Sequence, residues 1–392
     1  MQPLLLTHFA TANPLGLGAV ATLDALRERR GGLRPNDFEH ADIPTWIGRV
    51  AGLESQPVIK ALSEFDCRNI RLAQLGLRQD GFEPAVARAR NRYGAQRIAV
   101  LIGTSTSGIL ETELAYRRRD AQGVLPPQLD YRHTHNLFAV ADFVRRYLKL
   151  DGPSLAISTA CSSSAKVFSC AYRFIEAGLC DAAVVGGVDS LCLTTLHGFA
   201  ALELLSPQPC RPCDAARNGI SIGEAAGFAL LERQGEADIA LLGYGESSDA
   251  YHMSTPHPQG EGARFSMHQA LNRAGLTAGE IDYINMHGTA TPANDSVEDR
   301  AIYQLFGGET PCSSTKGWVG HSLGAAGITE AIFCLLCIQH GFIPGTLNLE
   351  TLDPEIKSRV LAANQERPVR RALSNSFGFG GSNCSLVFGK TE

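Results

Sequence analysis

A layered α/β fold is what this sequence predicts, and three observations predict it. Short apolar runs of β type alternate with stretches of helical periodicity along the chain, the pattern of helices packed on sheet. One such run in each half ends in a Gly/Ser/Thr-rich turn that opens into a helix, and each turn carries a potentially reactive side chain, Cys161 in the first half and His287 in the second. The chain of 392 residues is 44% hydrophobic and 19% charged, and its 40 glycines suit many tight turns and close backbone approaches.

The elements follow in order. Residues 1–10 form a first strand: the apolar run is short, broken by Pro3, Thr7 and His8, and lacks the basic start of a signal peptide. Strands are expected at 97–102, 155–158, 182–187, 228–231, 281–285, 371–374 and 385–388. After 155–158, Val167, Cys170, Ala171, Phe174 and Ile175 recur at helical spacing up to Gly178. Helices are likewise expected at 295–306 and 328–339. The polar, turn-like stretch 232–238 marks a join between a half at 1–236 and a half at 237–392 that share one core. The parallel between Cys161 and His287, each closing a strand before a helix, hints at duplication, although the halves show no obvious sequence repeat.

Composition excludes several classes. A net charge of −5 argues against general nucleic-acid binding, and an acidic partner would need a local basic patch. No run of about 18 uninterrupted apolar residues is present, so no membrane span is expected. The 11 cysteines form no secreted disulfide framework and point to a reducing, cytoplasmic compartment. Cys210, Cys213, Cys334 and Cys337 make two C-x-x-C pairs, a possible zinc set. Against it, Cys334 and Cys337 fall within an apolar helix, so no metal is expected.

The chemistry-bearing residues lie at junctions. Cys161, in Leu155-Ala-Ile-Ser-Thr-Ala-Cys161-Ser-Ser-Ser-Ala165, sits where strand gives way to helix. The free N–H groups of a helix start favour an anion and can hold an oxyanion, though they shift a thiol pKa by roughly a unit at most. A buried structural cysteine is the competing reading. His287 ends its strand in His287-Gly-Thr-Ala-Thr291, and Lys316 and His321 stand together in Ser313-Ser-Thr-Lys316-Gly-Trp-Val-Gly-His321-Ser-Leu-Gly-Ala-Ala-Gly327. In α/β folds such junctions gather at one end of the sheet.

Thr159-Ala-Cys-Ser-Ser163, the His-Gly-Thr-x-Thr turn, the Lys-x4-His-x2-Gly-Ala-Ala-Gly stretch and Asn375-Ser-Phe-Gly-Phe-Gly-Gly-Ser-Asn383, in this order, resemble the elongating β-ketoacyl-acyl-carrier-protein synthases, and the likeness runs from first strand to last. The resemblance implies a thiolase-like fold, a duplicated five-layer α-β-α-β-α architecture. It implies decarboxylative Claisen condensation of an acyl chain held on Cys161 with malonyl-acyl-carrier protein. His287 and His321 would donate to the thioester oxygen, Lys316 would support them, and Glu330 would partner Lys316. The amides of Cys161 and Phe379 would form an oxyanion hole, with Gly378, Phe379, Gly380 and Gly381 as a mobile gate. Thr289 and Thr291 would bind the phosphopantetheine arm, which the carrier delivers, so no cofactor is expected. The stretch 249–256 resembles a second mobile loop, and 130–136 falls where the family lines its acyl pocket and dimer interface. Cys213 stands where the family has phenylalanine.

The segments 161–168 and 206–214 look more like ketosynthases of bacterial aryl polyene pigment clusters than general fatty-acid enzymes. A homodimer, or a heterodimer with a chain-length-factor-like relative, follows from that likeness. A non-catalytic chain-length factor would lack Cys161. A thiolase would need a second cysteine in a Cys-x-Gly setting, which Cys384 lacks, and an initiating synthase would carry asparagine in place of His321. The Gly-x-Cys-x-Gly elbow of a cysteine hydrolase is absent. For carrier docking, Arg68, Arg71, Arg117, Arg118 and Arg119 are the cationic candidates.

Overall fold

Strand pairing follows one scheme used twice. The computed structural model describes residues 1–391. Its main strands are β1 (Leu4–Asn13), β2 (Ile98–Gly103), β3 (Ser154–Ile157), β4 (Ala182–Asp189), β5 (Ala225–Glu232), β6 (Ile239–Ser248), β7 (Tyr283–Asn285), β8 (Pro311–Ser313), β9 (Arg359–Val360), β10 (Arg371–Gly378) and β11 (Ser382–Lys390). Its helices are α1 (Gly18–Arg27), α2 (Arg68–Leu77), α3 (Phe82–Tyr93), α4 (Ile109–Arg117), α5 (Ala139–Tyr147), α6 (Ser163–Glu176), α7 (Leu193–Ala201), α8 (Glu261–Ala274), α9 (Pro292–Phe306) and α10 (Ala326–His340). Among the described residues the large sheet runs β9-β8-β7-β10-β11-β6-β1-β5-β4-β2-β3.

In the first half β3, β2 and β4 are parallel neighbours, followed by β5 and β1 antiparallel. In the second half β8, β7 and β10 are parallel, followed by β11 and β6 antiparallel. The halves join where β1 meets β6 through two residue pairs, Leu4 with Leu241 and Leu5 with Ala240. The polar stretch 233–238 is the connection from β5 to β6.

So narrow a seam lets the two half-sheets face each other across a shared filling. That filling is α6 and α10, whose Phe168, Ile328 and Ile332 cluster with the inner faces of both halves: Val185 and Leu231 from the first, Leu386 and Phe388 from the second. Outside the first half lie α2, α3 and α5, and outside the second lie α8 and α9. The result is five layers, helix–sheet–helix–sheet–helix. Apart from Thr329 and Glu330, the buried side chains of helix α10 are apolar on every face because it meets sheet on two sides, and its residues 326–338 are all buried. The stretch Leu323–His340 is long and apolar enough to cross a membrane, but 89% of it is buried inside the fold, which makes it a core helix.

Some expected boundaries move. The strand expected at 281–285 begins only at Tyr283, because Thr277 and Glu280 form a capping box that holds a 3₁₀ turn at Ala278–Glu280. Strands β10 and β11 run longer than their apolar runs, since their polar ends pair with each other up to Gly378 and Ser382.

Helix α10 packs closely on α6. A Cβ at Gly327 would lie 2.5 Å from Ala165 N and 2.8 Å from its Cβ. In an ordinary helix Gly→Ala gains about 1 kcal/mol of propensity. Here the overpacking, typically about 1–3 kcal/mol, opposes it, and backbone cannot yield as a side-chain tip can. Gly327→Ala should therefore lower stability, seen as a lower urea midpoint; a midpoint at or above that of the parent protein would show that the helices separate freely.

Candidate active site

The C-terminal ends of the central parallel strands face one region, and the sequence-predicted residues follow those ends. Cys161 follows β3, His287 follows β7, Lys316 follows β8, and Gly378 ends β10. Between β3 and α6 the backbone turns through Ala160 at φ 52°, a left-handed conformation that costs a non-glycine residue about 1–2 kcal/mol. Hydrogen bonds hold it there: Thr159 N–H donates to Ser163 Oγ at 2.8 Å, and Ser162 Oγ donates to Thr159 O at 2.9 Å. The turn delivers Cys161 to the base of a cavity with only 6% of its surface exposed.

That burial corrects the electrostatic expectation for a helix-start cysteine. It pushes the Cys161 thiol up to about 11, against the opposing pull of the Lys316 charge and of a hydrogen bond from the Phe379 amide. The resting group is a thiol, and the Phe379 amide already points at its sulfur.

His321 Nε2 lies 3.0 Å from Cys161 Sγ. The Leu323 N–H donates to His321 Nδ1 at 3.2 Å, which assigns the ring hydrogen to Nε2. His287 has the same polarity by a different route, because its Nδ1 lies 3.2 Å from Lys316 Nζ, an ammonium that can only donate. The two rings stand edge to face with centroids 5.3 Å apart. Burial first, then the Lys316 charge, holds both histidines well below their ordinary pKa, so both are neutral imidazoles at neutral pH.

Lys316 Nζ also donates to the Glu330 carboxylate and to the His287 carbonyl. Burial pushes the Glu330 carboxyl up to about 7, against the pull of Lys316. The structure thus brings Cys161, His287, His321, Lys316 and Glu330 into one cluster. Cys161 Sγ and a nitrogen of each histidine lie within 4.8 Å of one another, a spacing that could suit a metal. With a hydrogen on each Nε2, however, the arrangement presents N–H donors rather than lone pairs. The two C-x-x-C pairs are spent separately: Cys210 donates to the Lys316 carbonyl at 3.3 Å, while Cys334 and Cys337 are core residues of α10.

The cavity above the thiol measures about 340 Å³. One wall is apolar, with Phe199, Leu202, Leu204 and Ile220; the other carries Thr289, Thr291 and Asn294. Thr289 and Thr291 hydrogen-bond each other at 2.9 Å, and Thr291 also caps α9. Gly378 must be glycine, because a Cβ there would meet Thr159 O at 2.8 Å. The Phe379 ring rests 5.8 Å from that of Phe199. The loop at 249–256 is fastened to this turn: Gly380 N–H donates to Met253 O at 2.7 Å, and Asp249 N–H to Gly381 O at 2.9 Å.

Other expectations fail on contact geometry. Residues 130–136 do not line the cavity; His133 bonds Asp130 and packs on Phe65, while His135 bonds Thr112. Arg68 is 9% exposed and paired through two nitrogens with the buried carboxylate of Glu224, and Arg71 is paired with Asp66. Neither is a free docking cation. Two acids went unpredicted. Glu298 accepts the His287 and Gly288 amides at 2.8 and 2.7 Å, and Asp189 ends β4 beneath the cluster. Each carried a signal: Glu298 is an acid on the inner face of a helix, and Asp189 ends an otherwise apolar strand.

Sequence models of the β-ketoacyl synthase N-terminal and C-terminal domains match residues 54–237 and 239–350. The chain is 35% identical to 3-oxoacyl-[acyl-carrier-protein] synthase 2 of Rhizobium meliloti (strain 1021), covering 99% of this chain and 98% of that relative. It superimposes with a TM-score of 0.91 and 38% identity on a ketosynthase of Xenorhabdus doucetiae solved in complex with its chain length factor, over 100% of this chain and 98% of that one. The ishigamide ketosynthase/chain length factor gives 0.89 and 28%, over 100% and 99%.

The Lys316 charge is the strongest influence pulling the Cys161 thiol down. Lys316→Met should therefore raise that thiol further and slow iodoacetamide alkylation of Cys161 at pH 8. The alkylation rate–pH curve checks this, and a curve that stays in place would put control of the thiol elsewhere.

Proposed function

The chain belongs to the β-ketoacyl synthase family, and we propose how its cluster performs the family's decarboxylative condensation. The enzyme joins an acyl chain to malonyl-acyl-carrier protein, giving β-ketoacyl-acyl-carrier protein. In the first half-reaction the Cys161 sulfur attacks an acyl thioester. The oxyanion that forms is held by the amides of Cys161 and Phe379, the carrier's thiol departs with the proton, and the acyl group stays on Cys161. In the second, the bond from malonyl C2 to its carboxyl carbon breaks and carbon dioxide leaves. The electron pair becomes an enolate whose charge sits on the thioester oxygen, where the Nε2–H groups of His287 and His321 donate. The enolate carbon attacks the acyl carbonyl, the bond from that carbon to sulfur breaks, and Cys161 leaves as a thiolate that takes a proton from water to return to the resting thiol.

One observation carries this assignment: two neutral imidazoles, each with Nδ1 already accepting a hydrogen bond, flank one thiol. Neither histidine has a free lone pair to act as a base, so both serve as donors. Lys316 acts by fixing His287 and keeping both rings neutral, with Glu330 balancing its charge. Gly378, Phe379, Gly380 and Gly381 form the gate, Thr289 and Thr291 face the pantetheine arm, and that arm makes a cofactor of the protein's own unnecessary.

The same proposal extends to context. A heterodimer with a chain-length-factor-like subunit is supported by the two solved relatives described with one. The aryl polyene pathway rests on the likeness of segments 161–168 and 206–214. A cytoplasmic setting is supported by eleven cysteines that are all free among the described residues.

Two experiments test it. Acyl-carrier protein should add one acyl mass to the protein, absent in Cys161→Ala. His287→Ala and His321→Ala should each lose about 10²–10³-fold in decarboxylation of malonyl-carrier protein while acylation survives in part. A histidine whose removal leaves decarboxylation unchanged is structural.

With Arg68 and Arg71 occupied, docking of an acidic carrier falls to the exposed run Arg117, Arg118 and Arg119 at the end of α4. Such attraction is screened over a Debye length of about 8 Å. Arg117→Glu with Arg118→Glu should slow turnover of carrier-bound substrate at low salt yet spare a small pantetheine thioester. Equal rates on the carrier substrate would leave the run as a solvated face.

A further inference from the structure

At the end of β4 a carboxylate without a counter-ion is held by three neighbours in a row and by the turn that follows His321. Asp189 is fully buried. Its Oδ1 accepts from Thr104 Oγ1 at 2.8 Å, Thr106 Oγ1 at 2.7 Å and Thr106 N–H at 2.8 Å, and both oxygens lie within 3.0 Å of Ser105 N. Its Oδ2 accepts from Ala325 N–H at 3.1 Å. Burial pushes its carboxyl up from the ordinary range, and the hydrogen bonds from Thr106, Ser105 and Thr104 pull it back down.

Ala325 closes the 3₁₀ turn Leu323–Ala325, and the Leu323 N–H that opens that turn is the donor that fixes His321 Nδ1. Leu323 holds φ 53°, a conformation that needs outside support. Gly324 lies between, so close that a Cβ there would meet Asp189 Oδ2 at 2.7 Å and Ser105 N at 2.8 Å. The turn is therefore clamped against the carboxylate at two successive residues. On its far side the loop is tied to the strand before Cys161 by Thr104 N–H to Ile157 O at 3.1 Å, but Ser105 Oγ reaches Ala160 O only at 3.5 Å. The bond to Ala325 is direct and within the ordinary range, whereas the reach of Ser105 to the nucleophile turn is at the limit of a hydrogen bond.

We infer that Asp189 is a positioning residue for the decarboxylation half-reaction: by anchoring the Leu323–Ala325 turn it keeps the Leu323 amide on His321 Nδ1, and so keeps the His321 Nε2–H aimed at the thioester oxygen. This rests on the donor role proposed above for His321. A carboxylate suits the position because every group facing it is a donor. An amide of the same shape would turn an N–H toward one of them and release the turn.

The test is the ratio of the two half-reactions. In Asp189→Asn, with folding checked by circular dichroism and melting temperature, decarboxylation of malonyl-carrier protein should fall about 10²-fold, the cost of a small misplacement of a catalytic group. Acylation of Cys161, read by intact mass, should stay within a factor of about three. Equal losses in both halves, or none in either, overturn the inference, since a purely structural role would not change their ratio. If that variant does not fold, Thr106→Val carries the test: it removes one donor to Asp189 Oδ1, loosening the same carboxylate, and should slow decarboxylation about fivefold while sparing acylation, and an unchanged ratio overturns the inference. His321→Ala, run alongside, separates the two readings. Normal decarboxylation there removes the donor role and this inference with it; lost decarboxylation there with normal decarboxylation in Asp189→Asn removes this inference alone.

Discussion

One ammonium group held out of water organises the centre of this molecule. Taking a charge into a protein interior costs several kcal/mol even after relaxation, unless partners surround it. Lys316 Nζ has three: the Glu330 carboxylate, the His287 carbonyl and His287 Nδ1. Its field then reaches every titratable neighbour with a different sign of consequence. It disfavours imidazolium at both histidines and favours thiolate at Cys161, while Glu330 works the other way on the thiol. A lysine used as a proton acceptor would have to surrender that charge. A lysine that stays charged keeps two rings neutral with their hydrogens turned into the cavity, which suits an enolate developing above them.

The layered fold makes that cluster possible because it stacks two strand-end edges face to face. Cys161 and Asp189 come from the first half-sheet, His287, Lys316 and Gly378 from the second, and the central helices close the gap between them. Small residues set how near the layers come. Gly324 and Gly327 pack against Asp189 and Ala165 at distances a methyl group would not allow, so Gly-Ala-Ala-Gly is a contact surface before it is a motif. The helix that begins there carries Glu330 one turn on, pointing back at Lys316.

Most of the fold and the reactive cluster were legible in the sequence, because both depend on local patterns. A strand that stops at a glycine-rich turn marks an edge whatever the tertiary structure, and Cys161, His287, Lys316 and His321 all stand at such stops. What was not legible depends on contacts across the chain. Arg68 looks like a surface cation on an amphipathic helix until Glu224, 156 residues away, takes two of its nitrogens inside. The thiol's helix-start setting predicts a modest downward shift, but desolvation, which depends on the layers above it, is larger and of opposite sign. Asp189 shows only as an acid at the end of an apolar strand, and its donors come from a loop 83–85 residues upstream and a turn 136 residues downstream.

The turn 378–381, proposed above as a gate, illustrates why a turn of glycines can be held and yet be free to move. Gly380 and Gly381 adopt φ 80° and 73°, which glycine enters without strain, so leaving that conformation is also cheap. What fixes the turn is its neighbour: the 249–256 loop supplies a carbonyl to Gly380 and an amide to Gly381, while Asp249 accepts from Asn383 at 2.7 Å and from the His257 amide at 3.0 Å. Each loop satisfies the other's backbone groups, so a swing of either one breaks the Gly380–Met253 and Asp249–Gly381 hydrogen bonds. Movement of one loop is therefore coupled to movement of the other. Since Phe379 carries both the amide aimed at Cys161 and the ring against Phe199, such a paired movement would open the apolar wall and dismantle the oxyanion hole in one step. On the gate and oxyanion roles proposed for these residues, access for the acyl chain and stabilisation of its attack are alternative states of the same few side chains and amides.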